Sequence, residues 1–234
     1  MSEPLPVAVL VSGTGTNLQA LLDTVHGHEA RIVAVASSVP GAPALARAED
    51  RGVPTAVFAR ADYADRDARD EALAAWLQER GARLIVAAGY MELLGERFLA
   101  RFPGAVINVH PSLLPAFPGT RAIEQALAYG VKVFGVTVHF VDAGVDTGPV
   151  ILQRAVELAD AREPAEVLAA LRPLEHSLLP EAVRLFASGA LTADARSQRR
   201  PPADRLRGEA GEADGAGEAD EAGEADEAGE GGEG

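Results

Sequence analysis

The 234 residues, 47% of them hydrophobic, are enough for one packed α/β domain, and no apolar run reaches the roughly 18 residues that a membrane span needs. The absence of cysteine excludes disulfides and thiolate metal sites and suits the reducing cytoplasm, where we expect the protein to be. Residues 208–234 carry eleven acidic side chains and no basic ones, so the formal charge of −14 leaves about −3 for residues 1–207, and nucleic-acid binding is not expected.

Apolar runs typical of buried strands alternate along the chain with stretches typical of helices. Strands are predicted at residues 7–11, 31–36, 55–58, 84–88 and 106–109, and helices between them at residues 18–25, 43–51 and 64–80. This alternation predicts a Rossmann-like α/β fold, with a mainly parallel sheet and helices on both faces.

Two further strands are predicted at residues 133–140 and 150–156. Because the glycine-rich segment between them is too short for a crossover helix, we expect an antiparallel strand pair near the C-terminal end of the domain. A long helix over residues 163–188 follows, and Pro173 and Pro180 inside it predict a kink or a break.

The chain is predicted to divide into a domain at residues 1–195 and a tail at residues 196–234. The tail is rich in Gly, Ala and Glu, and its acidic portion from residue 208 onwards has no large apolar side chain to bury. Such a composition favours disorder, and an inert or solubilising tail is favoured over an interaction tail.

The first strand runs into Ser12-Gly-Thr-Gly-Thr-Asn17, where two glycines allow a tight turn before a helix. Free N–H groups and the helix dipole make such a turn an anion site. A dinucleotide fingerprint would need a third glycine and an acidic residue ending the second strand, which ends in Ser37-Ser38 instead. The turn therefore favours a lone phosphate, such as a ribose 5-phosphate, over NAD, and a plain strand-to-helix turn is the alternative.

Asn108 and His110 lie two apart at the end of an apolar run that Pro111 stops. Side chains two apart on a strand point to the same face, so an amide and an imidazole are presented together. The amide can donate to a developing oxyanion and the imidazole can carry a proton near neutral pH, which indicates acyl-transfer chemistry.

Asp146 lies in a glycine-flanked loop after a strand, from which a carboxylate could reach and orient His110. From spacing alone, a turn aspartate bonded to its own backbone is the favoured interpretation. His139 is interpreted as a core histidine, Glu175-His176 as part of a solvated helix face, and Met91 as a packing residue.

Three segments together resemble the phosphoribosylglycinamide formyltransferase family of folate-dependent enzymes in purine biosynthesis. They are Ser12-Gly-Thr-Gly-Thr-Asn-Leu18, Ile107-Asn-Val-His-Pro-Ser-Leu-Leu-Pro115, and Val138-His-Phe-Val141 with Asp146-Thr-Gly-Pro-Val-Ile151. The second segment is shared by formyl-tetrahydrofolate enzymes generally, whereas the first narrows the resemblance to the glycinamide ribonucleotide branch. The resemblance covers roughly residues 6–190.

The resemblance implies that Asn108 and His110 engage the formyl oxygen, with His110 as proton donor. Asp146 would tune His110 and help to move the proton from the incoming amine to the departing folate nitrogen. The phosphoribosylglycinamide site would contain Gly15, Thr16, Asn17, Arg172 and Glu175. The site for the co-substrate 10-formyltetrahydrofolate would contain Arg66, Met91, Glu92, Leu93, Leu94, Asn108, Asp142, Ala143, Gly144, Val145 and Asp146. No metal is expected.

Three positions depart from the family pattern. Glu92 stands where an arginine is common, Ala116 stands where a lysine is common, and Thr120-Arg-Ala-Ile123 replaces a stretch that contains histidine. A pterin pocket formed by the backbone should tolerate glutamate at position 92. None of the three departures changes Asn108, His110 or Asp146.

Two alternative functions are open. A 10-formyltetrahydrofolate deformylase would use the same three residues with water as acceptor, but it would call for an N-terminal regulatory domain, for which a first strand near residue 7 leaves no room. A non-catalytic nucleotide-binding module would be expected to have lost Asn108, His110 or Asp146. Small molecules are the expected partners, with no nucleic acid and no membrane, and the chain is expected to be a monomer or a homodimer.

Overall fold

A computed structural model describes residues 3–191, and the predicted tail at residues 196–234 lies outside the described residues. Seven strands form one sheet in the order β3-β2-β1-β4-β5-β6-β7. Their bounds are β1 Leu5–Val11, β2 Ala30–Ser37, β3 Thr55–Val57, β4 Leu84–Ala87, β5 Val106–His110, β6 Val133–Phe140 and β7 Val150–Glu157. All seven predicted strands are confirmed.

Six helices accompany the described strands, together with a 3-10 turn at Arg60–Asp62. They are α1 Thr16–Thr24, α2 Pro43–Glu49, α3 Arg66–Glu79, α4 Glu96–Arg101, α5 Ala122–Tyr129 and α6 Pro164–Ala187. The four predicted helices are confirmed, whereas α4 and α5 were not predicted, because helices of two turns show too little periodicity to stand out.

Of the kink or break predicted for the last helix, the break is wrong, since α6 is continuous through Pro173 and Pro180, and the kink stays a prediction. Each proline removes one backbone hydrogen bond from a helix. The buried side chains of Leu171, Leu178 and Val183 pack α6 into the core, and this packing holds the helix together across both prolines.

Strands β1 to β5 are parallel, and β6 runs antiparallel to both β5 and β7. The predicted antiparallel pair is therefore β6–β7, and the β5–β6 pairing adds a second. Alternation along β1 places Val9 in a core on the side of α1 and α6, and Leu10 in a second core on the side of α3. The sheet is thus covered on both faces, as predicted.

Two features of this sheet position the functional residues. Parallel β1, β4 and β5 end at the same edge, so the segments that follow them lie side by side. The β5–β6 register then places Asn108 opposite His139, and His110 opposite Thr137. Among the described residues, no helix is both long enough and apolar enough to cross a membrane.

Candidate active site

Three polar side chains converge on the carboxylate of Asp146. Its Oδ2 lies 3.3 Å from Nδ1 of His110, while its Oδ1 lies 3.5 Å from Nε2 of His139 and 3.5 Å from Nδ2 of Asn108. Nδ2 of Asn108 also lies 3.2 Å from Nε2 of His139. The structure therefore brings together Asn108, His110 and Asp146, the three residues predicted to be catalytic, and adds His139.

His139 belongs to this cluster because of strand register. Residues directly opposite each other in an antiparallel pair point to the same face, so His139 on β6 lies beside Asn108 on β5. Its ring is buried, and Nδ1 lies 2.9 Å from the carbonyl oxygen of Phe140. The interpretation of His139 as a core histidine missed its contact with Asp146. The β5–β6 register would have revealed that contact.

The loop between β6 and β7 carries Asp146 to the cluster. Oδ1 of Asp142 accepts hydrogen bonds from the N–H of Gly144 (3.1 Å) and the hydroxyl of Thr147 (2.7 Å), which close the loop. Asp146 itself has a φ of 54°, a left-handed conformation that aspartate tolerates better than most residues. The turn aspartate of this loop is thus Asp142, and the carboxylate of Asp146 is left free for the cluster.

The carboxylate of Asp146 is held in its ionised form. The hydrogen bond from His139 lowers its pKa to about 2, although burial opposes this, and the N–H of Gly119, 2.8 Å from Oδ2, acts in the same direction as His139. The nearby ring of His110 lowers the pKa of Asp146 further.

His110 is placed between two hydrogen-bond acceptors. Its Nδ1 faces the carboxylate of Asp146, and its Nε2 lies 2.9 Å from the carbonyl oxygen of Phe117. A carbonyl oxygen can only accept, so Nε2 carries the hydrogen of that contact. The Phe117 contact therefore fixes the orientation of the His110 ring beside the ionised Asp146.

The segment after β5 takes part through its main chain. Phe117 offers its carbonyl to His110 and Gly119 offers its N–H to Asp146, while the hydroxyl of Ser112 donates to the carbonyl of Ala116 at 2.6 Å. Because these contacts at Ala116, Phe117 and Gly119 are made by backbone groups, the departure at Ala116 leaves them in place. Sequence motifs give no signal for them.

The turn after β1 is built around Gly15. This residue precedes α1 with a φ of 73°, and a Cβ at this position would lie 2.5 Å from Cβ of Ala44. No side chain caps α1, so the N–H groups at its start are not satisfied by a capping oxygen. The anion-site prediction at Gly15 and Thr16 depends on free N–H groups at the start of α1, and no side chain occupies them.

Asn17 connects this turn to α6. Its Nδ2 donates to Oε2 of Glu175 at 2.9 Å, and both residues are 8% exposed, so Glu175 is not part of a solvated face. Burial raises the pKa of Glu175, although the hydrogen bond from Asn17 and the charge of Arg172 oppose the rise. Two buried atoms here have no hydrogen-bond partner among residues 3–191, namely Oδ1 of Asn17 and Nε2 of His176, the residue after Glu175. Arg172, also predicted for this site, is exposed.

A groove of about 1320 Å³ opens beside the Asp146 cluster. Every residue predicted for the folate site lines it, namely Arg66, Met91, Glu92, Leu93, Leu94, Asn108, Asp142, Ala143, Gly144, Val145 and Asp146. The side chains of Met91 and Leu93 are 64% and 56% exposed, so Met91 is not a packing residue. Both residues instead offer an apolar surface at the groove.

The turn after β1 lies next to the groove without lining it. The N–H of Met91 donates to Oγ of Ser12 at 2.9 Å, and that hydroxyl lies 2.6 Å from Oγ of Ser38. These contacts join the segments that follow β1, β2 and β4. No three His, Cys, Asp or Glu side chains within residues 3–191 are grouped as metal ligands would be.

Comparisons with known proteins agree in the family they indicate. The formyl transferase family model matches residues 5–183. Phosphoribosylglycinamide formyltransferase from Mycobacterium tuberculosis is 43% identical over 197 residues, which are 84% of this chain and 91% of that protein. Its counterpart from Haemophilus influenzae is 38% identical, over 79% of this chain and 88% of that protein. The crystal structure of glycinamide ribonucleotide transformylase 1 from Symbiobacterium toebii superimposes with a TM-score of 0.81 at 45% identity, covering 84% of this chain and 93% of that one.

Proposed function

Because the chain belongs to the formyl transferase family, in its phosphoribosylglycinamide formyltransferase branch, we propose that it transfers the formyl group of 10-formyltetrahydrofolate to the amine of phosphoribosylglycinamide in purine biosynthesis. The product would be the formylated ribonucleotide, and tetrahydrofolate would be released. A cytoplasmic location, which suits a chain without cysteine, is part of the proposal.

One observation carries the proposal: an ionised carboxylate, an imidazole and an amide converge beside a large groove. In formyl transfer the amine attacks the formyl carbon, the formyl oxygen becomes an oxyanion, and the bond to the folate nitrogen breaks. The amine loses one proton and the folate nitrogen gains one, so no net proton is consumed. The convergence of Asn108, His110 and Asp146 meets each of these needs.

Asn108 and His110 are assigned to the oxyanion. Nδ2 of Asn108 carries two hydrogens, and its contacts inside the cluster are long, at 3.2 and 3.5 Å, so substrate oxygen can compete for one of them. His110 would engage the same oxygen and supply the proton that the departing folate nitrogen gains. Asp146, 3.3 Å from Nδ1 of His110, would orient the imidazole ring.

Two binding regions flank this cluster. We assign the phosphate of phosphoribosylglycinamide to the turn at Gly15, Thr16 and Asn17, where glycine geometry leaves the start of α1 open. Glu175 and Arg172 would hold the remainder of the ribonucleotide, since Glu175 is already bonded to Asn17. The groove is assigned to the folate, with its apolar wall at Met91 and Leu93 against the heterocycle.

The test is to mix the pure protein with 10-formyltetrahydrofolate, with and without phosphoribosylglycinamide, and to follow tetrahydrofolate release together with formylated ribonucleotide. Release that needs the ribonucleotide supports formyl transfer. Release with water alone would identify a deformylase, and no release under either condition would identify a non-catalytic binder; either result overturns the proposal.

A further inference from the structure

Arg69 on α3 is a charged side chain that the fold buries almost completely. Its side chain is 1% exposed, and a buried guanidinium is tolerated only when it is paired and hydrogen-bonded. Asp70, also 1% exposed, accepts from Nε of Arg69 at 3.1 Å and from Nη2 at 2.7 Å, and Oε2 of Glu92 lies 2.6 Å from Nη1. Every nitrogen of the guanidinium is therefore engaged.

This buried pair holds the segment after β4 at two points. Nη2 of Arg69 donates to the carbonyl oxygen of Leu93 at 2.9 Å, and Oδ2 of Asp70 accepts from the N–H of Gly95 at 2.7 Å. Residues 91–95, which we call the groove loop, form neither helix nor strand. Their conformation therefore depends on these two contacts, on the ion pair at Glu92, and on the bond from Met91 to Ser12.

The groove loop is the wall against which the folate is assigned. Within residues 3–191, the N–H groups of Glu92, Leu93 and Leu94 donate no hydrogen bond, which leaves them available to a ligand. Rotation of even one peptide plane in the groove loop would turn these N–H donors away from the groove. It would also move the apolar side chains of Met91 and Leu93. Recognition of a planar heterocycle by backbone donors requires this wall to be rigid.

We propose that Arg69 is a positioning residue for the folate co-substrate, which holds the groove loop in its binding conformation through Glu92, Leu93 and Asp70. The inference rests on the proposed function of the groove. It also gives a physical reason for the departure at Glu92, because a carboxylate at this position is the partner of the Arg69 guanidinium.

The experiment varies each substrate separately in steady-state kinetics on the full chain, with tetrahydrofolate binding by calorimetry as a readout that does not need turnover. Arg69→Met removes all contacts of the guanidinium, and we expect the KM for 10-formyltetrahydrofolate and the Kd for tetrahydrofolate to rise about 10- to 100-fold. The KM for phosphoribosylglycinamide should stay within about twofold and kcat within about threefold.

Glu92→Gln keeps the volume and removes only the charge, so a rise of about 3- to 10-fold in the same two quantities is expected. Arg69→Lys keeps the charge but cannot contact Asp70, Glu92 and Leu93 together, so it should recover only part of the loss. Arg101→Gln is the matched control, because Arg101 is an exposed arginine on α4 that pairs with Glu71 of α3 and does not line the groove. This variant should change neither KM, nor kcat, nor the Kd for tetrahydrofolate by more than twofold.

The proposal is overturned if folded Arg69→Met and Glu92→Gln both bind tetrahydrofolate within twofold of the wild type, or if both substrates lose affinity equally. If Arg69→Met does not fold, tetrahydrofolate binding by Glu92→Gln alone decides whether the proposal holds. A wild-type chain that forms no product from the two substrates would overturn the proposed function instead, and the role of Arg69 would then be decided by tetrahydrofolate binding alone.

Discussion

Nδ1 of His110 lies 3.3 Å from Oδ2 of Asp146, and each member of the pair has a second contact. Phe117 accepts from the other nitrogen of His110, and His139 lowers the pKa of Asp146 to about 2. With so low a pKa, Asp146 is a poor place to hold a proton at neutral pH. The proposal therefore assigns the proton that formyl transfer needs to His110 rather than to Asp146.

Replacing Asp146 with asparagine should separate this role from folding. Asparagine accepts the left-handed φ of 54° and can still accept from the N–H of Gly119, but it removes the negative charge beside His110. We expect kcat to fall about 100- to 10,000-fold with an unchanged circular dichroism spectrum. Asp160→Asn, the same chemical change in an exposed turn, is the control. An Asp146→Asn enzyme within tenfold of wild-type kcat would contradict the role of Asp146.

Asn108→Ala tests the oxyanion donor. Loss of one such donor costs about 100- to 1000-fold in kcat, and alanine removes the amide without disturbing β5. His139→Gln is the informative comparison, because it removes the imidazole that contacts Nδ2 of Asn108 and leaves the Asn108 amide in place. Its kcat should fall at least tenfold less than that of Asn108→Ala. Equal losses in single-turnover measurements would show that Asn108 matters only for holding the cluster together.

Much of this site is predictable from the sequence because its chemistry lies in short segments. Alternation on one strand is enough to place Asn108 and His110 on the same face, and a strand that runs into two glycines is enough to place a tight turn at Gly15. The order of apolar runs likewise predicts the sheet and its antiparallel end. Each of these inferences depends only on residues that are close together in the chain.

The remaining contacts depend on pairings between distant segments. The position of His139 follows from the β5–β6 register, and the bond between Asn17 and Glu175 follows from the packing of α6 against α1. The sequence shows Arg69 as one charge among several on a helix, and only the fold shows that it is buried against Glu92. Such contacts become predictable only when the tertiary arrangement is known.

The stability of the fold at acid pH should depend on Asp146. Its folded pKa of about 2 lies below the unfolded value of 3.8, so its contribution is present above pH 3.8 and is lost as the pH falls through 2. We expect the wild type to exceed Asp146→Asn by about 2 kcal/mol in free energy of unfolding at pH 6, and by about half of that at pH 3. Urea unfolding at the two pH values measures this, and a difference that stays constant would contradict the ion pair.

Glu175→Gln should stabilise the fold at pH 8 and weaken the binding of the ribonucleotide. Burial raises the pKa of Glu175, so the folded state retains a proton that the unfolded state loses, and stability falls as the pH rises above the unfolded value of 4.5. Glutamine has no such dependence. The variant should therefore melt at a higher temperature than the wild type at pH 8 but not at pH 4.

The same variant should bind the ribonucleotide less well. Loss of the Glu175 carboxyl group is expected to raise the KM for phosphoribosylglycinamide about tenfold, with little change in the KM for the folate. Glu181→Gln, on an exposed face of the same helix, controls for the change in net charge. A Glu175→Gln variant with unaltered ribonucleotide KM would remove Glu175 from that site.

Gly15→Ala tests whether the turn after β1 requires glycine for two separate reasons. The added Cβ would need a left-handed φ of 73° and would lie 2.5 Å from Cβ of Ala44, which together should cost about 2 to 4 kcal/mol in the free energy of unfolding. Gly13→Ala in the same turn is the control, because its Cβ meets no atom within 4 Å and its φ is not positive. Gly13→Ala should change the free energy of unfolding by no more than about 1 kcal/mol.

Folded Gly15→Ala protein should also bind the ribonucleotide less well, since relief of the overlap moves the start of α1 away from the phosphate. Urea unfolding measures the stability of both variants, and steady-state kinetics measures their KM for phosphoribosylglycinamide. Equal losses of stability in the two variants would show that the overlap with Ala44 is relieved at no cost. An unaltered KM in Gly15→Ala would place the phosphate elsewhere than at the N-terminus of α1.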